Sequence, residues 1–445
     1  MNILSETLKI METPIKKEFV EQAVKESGLK DVGRASIREL KWLINKIEKL
    51  SGKQFIRMEM GVPGLPAPKI AIDAEKAALD AGMASLYPEL DGLPILKTEI
   101  SRFIKNFLDV DVTPRCCIPT VGSINGAYAT FMVAGRRDVK KDTILLIDPG
   151  FPVHKQLIKM IGLKQENFDV YNFRGEKLKT KLESILEKGH ISTILYSNPN
   201  NPSWICFNEE ELKIIGDMAN KYDVIIAEDL AYFAMDFRKD LSKPGVPPFQ
   251  ATVAKYTDKY ILLISTSKSF SYAGQRMAMM AISDKLFDTE FSDLTRFYPY
   301  PNFGHSVVHG TVYTTTAGTS HTAQYAVAAL LKAVNDGTYN FVADVREYGE
   351  RAKILKKMFI DNGFKIVYDK DIDQPIGDGF YFTISYPGMQ GEDLLKELLY
   401  YGISAIALSI TGSERTEGIR ACVSLIQRNQ FEELENRLKK FNQNH

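Results

Sequence analysis

Val224-Ile-Ile-Ala227 runs into Glu228-Asp-Leu-Ala-Tyr232, and Tyr260-Ile-Leu-Leu-Ile264 runs into Ser265-Thr-Ser-Lys-Ser-Phe-Ser-Tyr-Ala-Gly-Gln-Arg276. Each opens with an apolar run too short for a helix and too uniformly apolar for a half-exposed strand, which predicts a buried parallel strand. Thr143 to Ile147 and Thr193 to Tyr196 read the same way. Between Thr193–Tyr196 and Val224–Ala227, residues Leu212, Ile215, Ala219 and Tyr222 recur at helical spacing, and Asn208 and Glu211 stand in capping-box positions ahead of them. That makes a β-α-β unit. Its repetition from about 120 to 283 predicts a doubly wound α/β layer with a mostly parallel sheet, whose ligands bind at the carboxyl ends of the strands.

Working outward, Ile37, Leu40, Ile44, Ile47 and Leu50 mark an early amphipathic helix, and Phe431, Leu434, Leu438 and Phe441 a late one. Gly61, Pro63, Gly64, Pro66 and Pro68 form a linker that regular structure does not accommodate. The expected organisation is a smaller α+β domain built from both termini (1–62 and 326–445) flanking a large domain over 63–325.

The 445 residues exceed the usual size of one domain, and 44% of them are hydrophobic. Lys plus Arg and Asp plus Glu both total 56, so no net field favours nucleic acid or anionic lipid. Four cysteines without a CxxC pair argue against a disulfide framework or structural zinc. With no export signal and no apolar run near the roughly 20 residues that span a bilayer, a cytoplasmic location is expected. The six histidines form no ligand spacing. His305 and His309 are four apart, but Pro301 and Gly304 argue against a metal-binding helix there, so no metal site is expected.

Lys268 follows a buried strand, where desolvation lowers an amine's pKa toward nucleophilicity and suits Schiff-base chemistry. The GxSxG, HExxH, GxGxxG and P-loop signatures are all absent. Instead Asn198-Pro-Asn-Asn-Pro-Ser203, Glu228–Tyr232 and the Lys268 segment follow three strands in order.

In this combination the chain resembles the fold type I pyridoxal phosphate (PLP) enzymes, specifically the class I/II aminotransferases, from about Gly61 to Arg420. The resemblance implies that Lys268 bonds the coenzyme, that Asp229 contacts its pyridine nitrogen, and that Tyr232 and Asn201 hydrogen-bond its phenolic oxygen. A carboxylate about 4 Å from a protonated pyridine gains roughly 4 kcal/mol at an effective dielectric near 20, about three pKa units. Asp229 therefore keeps the ring protonated and able to draw in the electron pair left at the substrate's α-carbon.

Thr120-Val-Gly-Ser-Ile-Asn-Gly126 reads as a strand-to-helix turn suited to a phosphate. The resemblance assigns the phosphate to Gly122, Ser123, Ile124, Ser265 and Arg276, with Ser267 beside them, and Phe151 to the face of the ring. It assigns the substrate's α-carboxylate to Arg420, near Gly61 and Asn201, and implies that Tyr87 reaches the site of a second subunit in a homodimer with shared active sites. Arg296 lies where dicarboxylate-specific relatives carry a second arginine, though Phe297-Tyr-Pro-Tyr300 departs from their pattern.

The family's usual Asn-Pro-Thr-Gly is here Asn201-Pro-Ser-Trp204. Either the turn adopts a backbone open to any residue, or Trp204 projects somewhere useful. The aromatic stretch Phe297 to Phe303 fits a pocket wall or an interface equally well.

The expected function is transfer of an amino group between an α-amino acid and a 2-oxo acid by a ping-pong Schiff-base mechanism. A PLP-dependent lyase or decarboxylase on the same fold is the alternative, and a non-catalytic regulatory protein a remoter one.

Overall fold

The computed structural model describes residues 12–445; residues 1–11 of the expected N-terminal segment lie outside the described part. Seven strands form the large sheet: β1 (Cys117–Val121), β2 (Thr143–Asp148), β3 (Lys164–Asp169), β4 (Ile191–Ser197), β5 (Ile225–Asp229), β6 (Tyr260–Ser265) and β7 (Met277–Ile282). Their spatial order is β1-β7-β6-β5-β4-β2-β3, and only β7 runs against its neighbours. Strands β2, β4, β5, β6 and β7 are buried at every position, because helices cover both faces of the sheet and leave no solvated side.

The β-to-α turn after β4 is encoded locally. The helix Glu209–Tyr222 begins at Asn208, whose side chain accepts from the Glu211 N–H while the Glu211 carboxylate accepts from the Asn208 N–H, completing the capping box. In register, Ser197 lies opposite Asp229 across β4 and β5, so neighbouring parallel strands end at one edge.

The terminal segments meet. Ile56–Arg57 pairs in parallel with Ile403–Ser404, and the Ile15 N–H donates to the Tyr400 carbonyl. The early helix Ile37–Ser51 buries Leu40, Leu43, Ile44 and Ile47, while Phe431–Asn444 buries Leu434, Leu438 and Phe441. A four-stranded antiparallel sheet completes this part: β8 (Lys365–Ile366), β9 (Tyr381–Ser385), β10 (Ile406–Ala407) and β11 (Ile419–Cys422), in the order β10-β11-β9-β8. Position 326 lies inside the helix His321–Asn335, which packs on Lys69–Asp80 and Pro94–Leu108; the next interruption of helix comes at 336–340.

One local expectation is corrected. His305 and His309 do lie on helical backbone, Phe303–His305 continuing into a π-helical stretch Ser306–Val312, with their rings 5.2 Å apart. Pro301 precedes the first turn rather than interrupting it, and Asn302 caps that turn through the His305 N–H. Among the described residues no group of three or more His, Cys, Asp or Glu is gathered around a point.

Candidate active site

Parallel strands that end together leave a crevice beyond their carboxyl ends. There a cavity of about 210 Å³ is lined by Lys268, Asp229, Tyr232, Asn201, Ser123, Ile124, Phe151, Ser265, Ser267, Arg276, Arg420 and Gly61. Gly122 adjoins it through Arg276. Residues spread over 360 positions of chain are thus brought together by the ends of β1, β2, β4, β5 and β6, the linker after Met58, and β11.

Asp229 is the last residue of β5; its Oδ1 accepts from the Ala231 N–H at 3.1 Å. Burial pushes its carboxyl up to about 6, against the downward pull of the Lys268 charge. Lys268 responds reciprocally: burial lowers its amine while Asp229 raises it. The Lys268 Nζ lies 5.9 Å from the centre of the Tyr232 ring.

Asn201 accepts from Arg420 Nη1 at 3.2 Å, and Arg420 Nη2 donates to the Glu59 carbonyl at 2.6 Å. Arg420 is 1% exposed, has no carboxylate within 4.0 Å among the described residues, and its Nε is buried without a partner. A buried guanidinium in that state is poised for an anion, since its own surroundings leave both charge and donor uncompensated.

At the other end of the cavity, the helix Gly122–Ala134 starts at Val121 with no side-chain cap, leaving first-turn N–H groups open. Gly122 sits at φ 72°, a conformation that disfavours a side chain, and a Cβ there would lie 2.6 Å from Arg276 Nη2. Arg276 has no carboxylate within 4.0 Å among the described residues. The Ser265 Oγ accepts from the Ser267 N–H, which leaves its own proton to donate. Phe151 forms a cavity wall, with its ring edge-to-face against His154.

Six cavity-lining residues lie beyond the sequence-based set: Ile37, Met60, Val62, His154, Ala231 and Tyr381. His154 stands three residues after Phe151 on the helix Pro152–Met160, and that one-turn spacing was its only signal in the sequence. Burial holds its imidazole down at about 4, hence neutral at physiological pH. Ile37 read only as a helix position, and Tyr381 carried no local signal.

Other expected residues lie elsewhere. Tyr87 is 94% exposed and outside the cavity. Arg296 donates to the carbonyls of Asp293 and Arg136 at the surface, and none of Phe297 to Phe303 lines the cavity. A larger cavity, about 280 Å³, is lined by Asp236, Arg238 and Asp371. Three of its charged residues pair with one another, Arg238 bridging Asp236 and Asp371, and no strand-end lysine lines it.

Trp204 settles the question its turn raised. Its φ is 64°, so the backbone keeps the left-handed conformation that glycine favours. The side chain is fully buried, edge-on to Tyr232 and Tyr381, and a Cβ on Gly379 would lie 1.9 Å from its ring.

The family model for aminotransferase class I and II matches residues 53–438. The chain belongs to this family. This aminotransferase is 27% identical over 360 residues to a probable aspartate aminotransferase of Methanocaldococcus jannaschii, covering 80% of this chain and 85% of that one. It is 26% identical over 379 residues to an aspartate aminotransferase of Pyrococcus horikoshii, covering 83% and 84%. Among solved structures, an alanine aminotransferase from Pyrococcus furiosus superposes with a TM-score of 0.74 at 19% identity, over 93% of this chain and 98% of that one. A Thermus thermophilus aspartate aminotransferase with maleate gives 0.69 at 16%, over the full length of both. At such identities the superpositions establish the fold, which is fold type I.

The aminotransferase is PLP-dependent, and its residues fit that coenzyme. The uncapped helix start and the unpaired Arg276 suit a phosphate, while the buried Asp229 carboxyl at the opposite side suits a cationic ring nitrogen. No helix among the described residues is long and apolar enough to cross a membrane.

Proposed function

We propose that this enzyme moves an amino group between an α-amino acid and a 2-oxo acid at the cavity around Lys268. The observation that carries the reading is the placing of a half-buried lysine, a buried carboxyl and a buried arginine without a carboxylate partner among the described residues in one cavity. PLP, when bound there, supplies the electron sink for the pair left when the substrate's α-carbon loses a proton.

The chain's residues do the rest. Lys268 Nζ would hold the coenzyme in the resting enzyme, and its amine, once freed by substrate, would take the proton from the substrate's α-carbon and carry it as general base and acid. Burial favours the neutral amine, the form that accepts a proton. Asp229 holds the proton on the ring nitrogen. Tyr232 and Asn201 donate to the phenolic oxygen, and Phe151 packs on the ring face. Gly122, Ser123, Ile124, Ser265, Ser267 and Arg276 hold the phosphate, and Arg420 binds the substrate carboxylate beside Gly61.

We further propose a cytoplasmic homodimer in which Tyr87, exposed in the single chain, reaches the phosphate site of a second copy. The expected boundary at 326 falls inside the helix His321–Asn335, which packs on helices of the large domain, so the C-terminal part of the flanking domain is proposed to begin after that helix.

The test is borohydride reduction of the PLP-loaded protein followed by peptide mass spectrometry. The label is expected on Lys268 and is lost in Lys268→Ala; labelling that persists refutes the assignment. Incubation with an amino-acid panel, assaying 2-oxo acid, ammonia and carbon dioxide separately, is expected to give transamination only. Ammonia released without an acceptor refutes it.

A further inference from the structure

Tyr381 lies on β9 opposite Cys422 of β11, two residues from Thr383, which is opposite Arg420. Tyr381 and Arg420 are therefore diagonal neighbours on one face of this antiparallel pair. The guanidinium carbon of Arg420 stands 4.4 Å from the centre of the Tyr381 ring, within the range of a cation–π contact. At its other end, the Tyr381 hydroxyl is 2.7 Å from the hydroxyl of Tyr232. The ring is clamped: Trp204 lies 6.3 Å away at 66°, Phe380 packs at 5.1 Å, and a Cβ on Gly61 would sit 2.1 Å from the Tyr381 hydroxyl.

We infer that Tyr381 is a positioning residue that joins the two ends of the reaction centre, its ring fixing the Arg420 fork and its hydroxyl orienting the Tyr232 hydroxyl. A hydroxyl accepts and donates at once. If Tyr381 donates to the Tyr232 oxygen, the Tyr232 proton is released toward the cavity and Tyr232 becomes the stronger donor, because hydrogen bonds in a chain polarise one another. The planar cation stacked on a buried ring is likewise held with its edge toward the cavity, the orientation a carboxylate needs for two parallel bonds. The ring and the hydroxyl thus have separable effects. The inference rests on the roles proposed above for Tyr232 and Arg420.

Two variants separate it from a merely structural role. Tyr381→Phe keeps the ring and its packing and removes one oxygen. With PLP bound, the phenolic oxygen of the coenzyme then faces a weaker donor, stays more negative, and raises the proton affinity of the lysine-bound nitrogen beside it. The pH midpoint of the visible absorbance is expected to rise by about half a unit to one unit, while KM for the amino acid stays within about twofold. The charged and titratable groups facing the tyrosine pair are Lys268, Asp229, Arg420 and Cys422, and all four remain in the variant. Tyr381→Leu removes the ring as well, and KM for the amino acid is expected to rise about tenfold, the loss of a desolvated cation–π contact.

An unchanged absorbance midpoint in Tyr381→Phe overturns the inference, as does a KM in folded Tyr381→Leu equal to that of wild type. Wild-type protein that gives no Lys268-dependent visible band refutes instead the underlying assignment of the site, so the two failures are distinguishable.

Discussion

Replacing Arg420 isolates the recognition of the substrate carboxylate. The guanidinium is buried and, among the described residues, donates only to the Glu59 carbonyl and to Asn201 and keeps Nε without a partner. A carboxylate arriving about 4 Å away gains about 4 kcal/mol at an effective dielectric near 20, or about three decades in kcat/KM. Arg420→Met should therefore lose about a thousandfold. Arg420→Lys keeps the charge and forfeits one of two charged hydrogen bonds, so about 1.5–3 kcal/mol, or ten- to a hundredfold, is expected. The fold should survive, since methionine fills similar volume and a buried charge without a carboxylate partner contributes little stability. The assay is stopped-flow reaction of the PLP form with an amino acid and, separately, with the amine that lacks its α-carboxylate. Only the amino acid should feel the substitution; equal losses on both substrates would falsify the recognition role and leave Arg420 a packing residue.

Further outcomes follow from burial and backbone conformation. In coenzyme-free protein, the Asp229 carboxyl sits at about 6 against an ordinary 3.8, so the folded state holds a proton that the unfolded chain releases first. Its contribution to stability therefore declines as pH rises from about 4 to about 6, by about 3 kcal/mol across the window. Coenzyme-free Asp229→Asn lacks that decline, so urea unfolding should show it gaining on wild type over this range; a constant difference contradicts the assignment. Trp204→Ala should cost about 3–5 kcal/mol through the cavity it leaves. Trp204→Gly empties the same space but relieves the left-handed strain at φ 64°, so denaturant unfolding should place it about 1 kcal/mol above Trp204→Ala. If the alanine variant is the more stable, the strain argument fails. Gly379→Ala should destabilise wild type but be tolerated in a Trp204→Gly background, a coupling a double-mutant cycle measures.

Much of the site was legible because its chemistry is attached to local signals. An apolar run predicts a buried strand, a strand's carboxyl end predicts a ligand edge, and the residues that follow β4, β5 and β6 carry the reactive types in order. The sequence alone therefore sets Asn201, Asp229, Tyr232 and Lys268 at strand ends, and Asn208 with Glu211 marks the start of a helix by their spacing. Pro301 misled because proline starts helices as readily as it breaks them, and only the Asn302 cap shows which it does here.

Tertiary structure alone decided what stands beside what. Tyr232 and Tyr381 are 149 positions apart, and their hydroxyl contact depends on how the terminal segments seat against the large sheet. Tyr381 faces Arg420 because of the register of β9 and β11, and a slip of one residue would turn it to the opposite face. Trp204 shows the same division: its identity was visible as a departure, but the backbone angle beneath it and the Gly379 that makes room for its ring were not. Backbone preference and burial are written in neighbouring residues, whereas register and close packing arise from contacts between segments far apart in the chain, which no local pattern encodes.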